Sequence, residues 1–514
     1  MSVDCKSRFL SIGVPILAVA GMILASNTQA ETKLDPMFSD HMVLQREMPV
    51  PIWGMAEPGQ KVTVSFRDQK KEATADKDGK WRVNLDPLKI GRPGKLTVTG
   101  KTALLLDDVL VGDVWLGSGQ SNMERRVGKF ARGDEVLAAM AKAGPYPNLR
   151  LYRGDWRIAA TSDIDGFSAL MFSFGVPLQK ELGVPVGLIV GAETRTAAGR
   201  WLSQEMVRAD PILKKHLEGN EEGRSLLNEI KAYPKALAKW EKALKAAASH
   251  GKNLPEEPKR PDQIGDLYAR FIEPVLPYAI RGVLWDQGEH GPGIRSVGHQ
   301  YPVMHALIKG WRKDWGQGDF PFLYVQKPSG GGCAWDTQGN PLTRMASKFA
   351  PQPAEPNPPK SGKWRCSQVQ LLDLPKAAVV ITSDLGGGIH PPDKSSYGQR
   401  ACDIALSYVY GGNTPIYGPR YESHEVEGKQ VRVRFKHVGD GLVVRHSDRL
   451  QGFEIAGKDT PWHWAEARIE GDTVLVSSDE VPHPVHVRYK ASTGCPWANL
   501  FNKDRWPAFA FTTR

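Results

Sequence analysis

No stretch after residue 30 is apolar enough to span a bilayer, so the body of the chain is expected to be soluble. Cysteine is scarce, five in 514 residues, and Cys333, Cys366, Cys402 and Cys495 are spaced far too widely for a zinc site. None of the four stands in a strand–turn–helix context, which argues against a nucleophilic thiol. Their number is even, so an oxidising compartment would permit two disulfides, with three pairings open. The formal net charge of +10 comes without a helix-turn-helix, zinc-finger or RNA-binding signature, so nucleic acid is not expected as a partner. There is no repeat of solenoid period. With 41% apolar and 24% charged residues, the chain is neither a disordered tail nor a collagen-like polymer.

What is present suggests about three domains. Glycine (52) and proline (38) are both plentiful, which points to many turns and to β-rich portions. Fifteen tryptophans are also many; exposed rings stack on sugar faces, but burial is the commoner fate. Residues 1–30 have the pattern of a secretory signal. Lys6 and Arg8 precede an apolar run from Phe9 to Ala25, and Thr28-Gln29-Ala30 offers a small-residue cleavage site. Gly and Pro break that run, and it is short for an uncleaved anchor. Cys5 lies before it rather than at its end, which argues against a lipoprotein. The expected location is periplasmic or secreted, with no stable membrane insertion. Removing the leader leaves a charge of about +9, consistent with solubility or an acidic glycan.

Residues 31–110 read as a β-sandwich domain. Alternating runs such as Lys61–Phe66 and Lys95–Thr99 are divided by Gly-, Pro- and Asp-rich turns. From residue 111 the runs become apolar throughout: Val111–Leu116, Val186–Val190, Gly282–Trp285, Phe322–Gln326 and Ala378–Thr382. Strands of that kind suit a parallel sheet buried on both faces, with helices such as Ser396–Tyr408 between them. This pattern predicts an α/β unit over 111–410. Residues 205–262, rich in Lys, Glu, Ala and Leu, interrupt it as a helical insertion with a Pro-rich exit. A loop-rich stretch, 328–363, is expected to lie over a site or to move. Residues 411–514 return to β, with Gln430–Phe435 alternating cleanly and Val481–Tyr489 loosely.

Three strand ends carry chemistry. The run Gly112–Leu116 leads into Gly117-Ser118-Gly119-Gln120-Ser121-Asn122-Met123. A buried strand that ends in a tight glycine turn puts the Ser121 hydroxyl at the carboxyl edge of the sheet, where ligands of α/β folds bind. Backbone N–H groups of that turn, around Gly119, Gln120 and Asn122, are aimed at whatever the serine attacks. The motif is neither G-x-S-x-G nor a dinucleotide fingerprint. A nucleophilic serine needs a base. His390, in Gly386-Gly387-Gly388-Ile389-His390-Pro391, follows the last buried strand and can reach across the same edge. Gln287, in Trp285-Asp286-Gln287-Gly288-Glu289, stands at a third strand end as a donor to a developing oxyanion.

With these residues the sequence resembles the sialate O-acetylesterase family of SGNH-type hydrolases. The resemblance runs through Val43–Arg46, Pro51–Gly54, Val114–Met123, Val184–Ile189, Ile280–Trp285, Gln287–Glu289 and Ile389–Pro391. In the tail it includes Gly452–Gly457, Val487–Tyr489 and Ala498–Asn502. It implies a three-layer α/β/α SGNH-hydrolase core with a parallel sheet, flanked by N- and C-terminal β-domains. It implies removal of O-acetyl groups from sugars with no metal or other cofactor, an acetylated carbohydrate or glycan as substrate, Ser121 as nucleophile and His390 as base. The Ser121 N–H and the Gln287 side chain would be oxyanion donors, and Glu289 a supporting residue.

The chain departs from the family at three points. Gly387-Gly388 stand where an Asp usually precedes the histidine, so the acid on His390 is left open among Asp384, Asp393 and Asp286, or is dispensed with. Thr194-Arg195 replace a glycine pair after the second strand, which adds a cation, Arg195, that is either in the pocket or in a surface ion pair. Asp286 stands where an aromatic residue is usual. Two other readings remain: a glycan-binding relative without catalysis, and an esterase for a different acyl-sugar ester.

Overall fold

The uniformly apolar runs become neighbouring strands. The computed structural model describes residues 31–514 apart from 250–253, 288–292, 295–299, 327–331, 357–361 and 493. The expected leader, residues 1–30, and Glu289 lie outside the described residues. Val186–Ala192, Ala103–Gly119, Gly282–Asp286, Phe322–Val325 and Ala377–Val380 lie side by side in that order, all parallel. Their side chains are buried on both faces, which accounts for the lack of alternation in their sequences. Tyr146–Tyr152 extends the sheet in parallel, and Trp156–Ala159 closes that edge antiparallel. The apolar pattern does not announce Tyr146–Tyr152, because a buried arginine, Arg150, sits in its inner half. That guanidinium is held by Asp108 at 2.6 Å. The tryptophans mostly take the buried option: Trp115, Trp201, Trp285 and Trp311 are fully enclosed.

One strand joins the amino-terminal β region to the core. Ala103–Gly119 alternates in its first half, where it pairs antiparallel with Gly94–Thr99, and is buried throughout its second half in the central sheet. A single rod therefore crosses residue 110, where the sequence pattern changes. Beside it, Val43–Gln45 pairs in parallel with Leu110–Gly112. The junction is closed by a buried carboxylate. Asp113 accepts from Gln45 Nε2 at 3.0 Å, Arg46 Nη2 at 2.8 Å and Arg281 Nε at 2.8 Å. Burial by itself would raise its pKa, but the two guanidiniums reverse that and hold it below the usual carboxylate value.

Two helices lie together against the sheet. Ala169–Leu182 and Lys394–Tyr408 approach so closely that a Cβ on Gly398 would stand 2.3 Å from Ser173 Cβ and 2.7 Å from Phe174 N. Asp393 caps the second helix, accepting from Ser396 N–H at 3.2 Å. Burial, aided by the nearby Asp134, pushes the Asp393 pKa up to about 7. The 205–262 region contains the helices Gln204–Ala209, Pro211–Glu218 and Glu221–Ser249.

The carboxy-terminal region has its own apolar cluster, built from Val431, Val433, Phe453, Ile455, Val474 and neighbours. Gln430–Lys436 is a strand of an antiparallel sheet there. Val481–Tyr489 corrects an expectation: only His486–Tyr489 is strand. Pro482 and Pro484 remove backbone donors from the first half, so it cannot join the ladder. The two disulfides that the cysteine count would permit are not formed among the described residues. All four cysteines are free thiols, with Cys402 in the central core and Cys495 in the carboxy-terminal one. Burial raises the Cys333 and Cys366 thiols to about 12, which keeps them protonated. The described part of the 328–363 stretch is mainly turns and irregular chain up to the helix Gly362–Val369, with Cys333 bridged to Leu385.

Two stability predictions follow from these junctions. Asp113→Ala leaves two half-buried guanidiniums with only the exposed Glu47 as an anionic partner and should cost about 1–3 kcal/mol in urea unfolding; an unchanged midpoint would contradict the role given to the cluster. Asp393 binds its proton more tightly folded than unfolded, so its contribution to stability is lost as pH rises from the ordinary carboxylate range through about 7. Asp393→Asn keeps a cap and removes that titration. Its melting temperature relative to the wild type should rise steadily between pH 4 and pH 8, whereas a constant difference across that range would overturn the assignment.

Candidate active site

Three parallel strands end level with one another. Gly119 is paired with Ala192 on one side and with Asp286 on the other, so the chain leaves the sheet at three adjacent points along one edge. Gly119 has φ +126°, and a Cβ there would stand 2.1 Å from the Asp286 carbonyl oxygen, so the turn requires glycine. The next residue, Gln120, is buried and donates its N–H to that same carbonyl at 3.0 Å. The short helix Ser121–Glu124 then begins. Ser121 is 4% exposed, and its backbone N–H meets no acceptor among the described residues.

His390 approaches from the far side of the sheet, in the turn after Ala377–Val380. Its Nε2 lies 3.0 Å from Ser121 Oγ, although 269 residues separate them in the chain. Burial, then the charges of Arg125 and Lys394, push the ring below the ordinary histidine pKa. None of the three carboxylates considered for its other nitrogen is hydrogen-bonded to it. Asp384 is fully buried and gives both oxygens to Arg400, at 2.5 and 2.9 Å. Asp393 caps its own helix. Asp286 is a buried strand terminus whose carbonyl holds the Gln120 N–H, and no bond joins its side chain to His390.

At the third strand end, Gln287 is buried and donates from Nε2 to the Thr196 carbonyl at 2.8 Å, which ties two of the loops together. Arg195, in that neighbouring loop, is exposed and makes no ion pair among the described residues. It has φ +59°, a conformation that costs a non-glycine residue about 1–2 kcal/mol. A glycine would sit there without strain, which is the physical sense of the departure from a glycine pair.

Asn122 faces the histidine turn rather than solvent. Its Nδ2 donates to the Ile389 carbonyl at 3.1 Å, and its Oδ1 accepts from Lys394 Nζ at 2.8 Å. Lys394 is fully buried, with its ammonium 4.7 Å from the Phe130 ring centroid and 5.3 Å from that of Tyr397. Neither Lys394 nor Arg125 stands out in the sequence. Each lies four residues beyond a chemically conspicuous one, His390 and Ser121, in segments that read as turn and helix start.

No protein-family model matches the chain. A sialate O-acetylesterase of Rattus norvegicus is 27% identical over 461 residues, covering 81% of this chain and 80% of the relative. The sialate O-acetylesterase of Homo sapiens is 27% identical over 452 residues, covering 81% and 78%. Among solved structures, a carbohydrate acetylesterase from Xanthomonas citri superposes with a TM-score of 0.72 at 29% identity, covering 94% of this chain and all of that one. With two vertebrate relatives matched over four-fifths of the sequence and a solved structure matched over nearly its whole length, the chain is similar along most of its length to sialate O-acetylesterases and to a carbohydrate acetylesterase, and is a carboxylic ester hydrolase.

Proposed function

We propose that the protein removes O-acetyl groups from acetylated sugars by nucleophilic catalysis, with Ser121 as nucleophile and His390 as its base. The observation that carries this reading is the 3.0 Å approach of His390 Nε2 to Ser121 Oγ at a shared strand edge. His390 takes the hydroxyl proton as Oγ bonds to the acetyl carbonyl carbon, giving a tetrahedral oxyanion. The sugar oxygen leaves with the proton from His390, and an acetyl-enzyme remains. Water, deprotonated by the same ring, attacks that ester; acetate departs and the serine regains its proton. The Ser121 N–H, which has no acceptor among the described residues, is placed to receive the oxyanion, and Gln287 is the second donor. No step calls for a metal.

The family likeness and the level-ended parallel sheet support a three-layer SGNH-type organisation for 111–410, with 31–110 and 411–514 as flanking β-domains that brace the catalytic unit or present the glycan. The leader pattern of residues 1–30 supports export, and no helix among the described residues is long and apolar enough to cross a membrane. The sequence of the helical 205–262 insertion and the exposed Arg195 leave the particular sugar to a substrate panel.

Ser121→Ala should lower turnover of p-nitrophenyl acetate and acetylated xylan, xyloglucan and sialate by at least about 10³-fold, with folding retained. Equal activity of wild type and variant would sink the nucleophile assignment. Because burial and two cations keep the His390 ring neutral, the acid limb of kcat/KM should fall below the ordinary histidine value of about 6.5. A limb at higher pH would mean that a different base is at work.

A further inference from the structure

The turn that carries His390 is weakly held. From Gly386 to His390, only two hydrogen bonds fasten it to the rest of the protein among the described residues: Asn122 Nδ2 to the Ile389 carbonyl, and the His390–Ser121 contact itself. Apolar packing does not replace them. Ile389 is 65% exposed, and a Cβ placed on Gly388 would meet nothing within 4 Å. Nor, among the described residues, is a carboxylate hydrogen-bonded to the ring: Asp384 is committed to Arg400 and Asp393 to its helix cap.

Resting on the Ser121–His390 reading, we infer that Asn122 is a positioning residue for the reaction: its carboxamide, fixed from behind by Lys394, grips the Ile389 carbonyl and thereby sets the His390 ring against Ser121. The clamp is built from both sides of the reacting pair. Asn122 is the residue after the nucleophile, and Lys394 is four residues beyond the base, so one hydrogen-bond chain, buried at its Lys394 end, spans the two loops. The orientation of the amide is determined by its neighbours. An ammonium can only donate, so Oδ1 must face Lys394, which leaves Nδ2 for the carbonyl. Lys394 has no room to wander: it is fully buried with its ammonium over the Phe130 and Tyr397 rings. A buried amide held at both ends is costly to disturb, and a histidine displaced by about 1 Å loses about 10²-fold in rate. The clamp fixes where the ring sits but supplies no negative charge to the imidazolium. Among the described residues, the charged groups that face the ring, Arg125 and Lys394, are both cations.

The test compares wild type, Asn122→Ala, Asn122→Asp and Lys394→Met in the full chain, with p-nitrophenyl acetate as substrate. Asn122→Asp keeps an acceptor for Lys394 and removes the donor to Ile389, so it should fail like the alanine variant. Both should lose about 10²-fold in kcat with KM within about threefold, and Lys394→Met should change in the same direction. The second readout does not depend on turnover. In an NMR titration of labelled histidine, with His390→Gln for assignment, the His390 pKa should move up toward the ordinary range in Asn122→Ala, as the released ring swings away from the two cations. A kcat near wild type, or a fall in kcat with the His390 titration unmoved, overturns the clamp. If wild-type protein turns over no ester, the functional reading fails by itself, and the titration still decides the role of Asn122.

Discussion

The level ending of three parallel strands governs the rest of the structure. Because Gly119 pairs with Ala192 and with Asp286, the loops that leave those strands start from one line, and short side chains are enough to bridge them. The requirement for glycine at 119 follows directly: the neighbouring strand's carbonyl is too close for a side chain, and that carbonyl is the acceptor that fixes the Gln120 N–H. A serine one residue later is therefore placed by backbone geometry rather than by its own contacts. The sheet supplies this rigidity because its strands are buried on both faces and are anchored at their other end by the Asp113 cluster.

The electrostatics of the edge are unusual for a serine–histidine pair. The ring that faces Ser121 has two cations for neighbours and, among the described residues, no carboxylate bonded to it. A neutral imidazole is favoured, which suits a base, but the imidazolium that forms as the serine proton moves gains no anionic partner among the described residues. Within the proposed reaction the geometry must therefore carry more of the burden than charge does. That is consistent with a buried Asn–Lys pair gripping the turn from beneath, and with Gln287 binding the adjacent Thr196 loop. An oriented donor set around the serine can contribute several kcal/mol of transition-state stabilisation without an acid on the histidine.

Much of this architecture was legible in the sequence because it depends on local patterns. Runs without alternation marked the five central strands, and a glycine turn at a strand end marked Ser121. The strand Tyr146–Tyr152 was not legible, since its buried Arg150 is satisfied by Asp108, a partner the sequence does not point to. Lys394 was hidden for the same reason. A lysine after Pro-Pro-Asp looks solvated until the fold places Asn122, Phe130 and Tyr397 around its ammonium. An even cysteine count only permits disulfides, and counting cannot show that Cys402 and Cys495 belong to different cores.

The central claim is that the Ser121 oxygen becomes covalently bonded to the acetyl group. It is tested most directly by acid-quenching the enzyme milliseconds after mixing with p-nitrophenyl acetate and mapping the adduct by peptide mass spectrometry. The account expects one acetyl group, on the peptide that contains Ser121, appearing with the burst of nitrophenol and absent from Ser121→Ala. Steady turnover without an adduct on that peptide, or an adduct on another residue that forms at the burst rate, would contradict it.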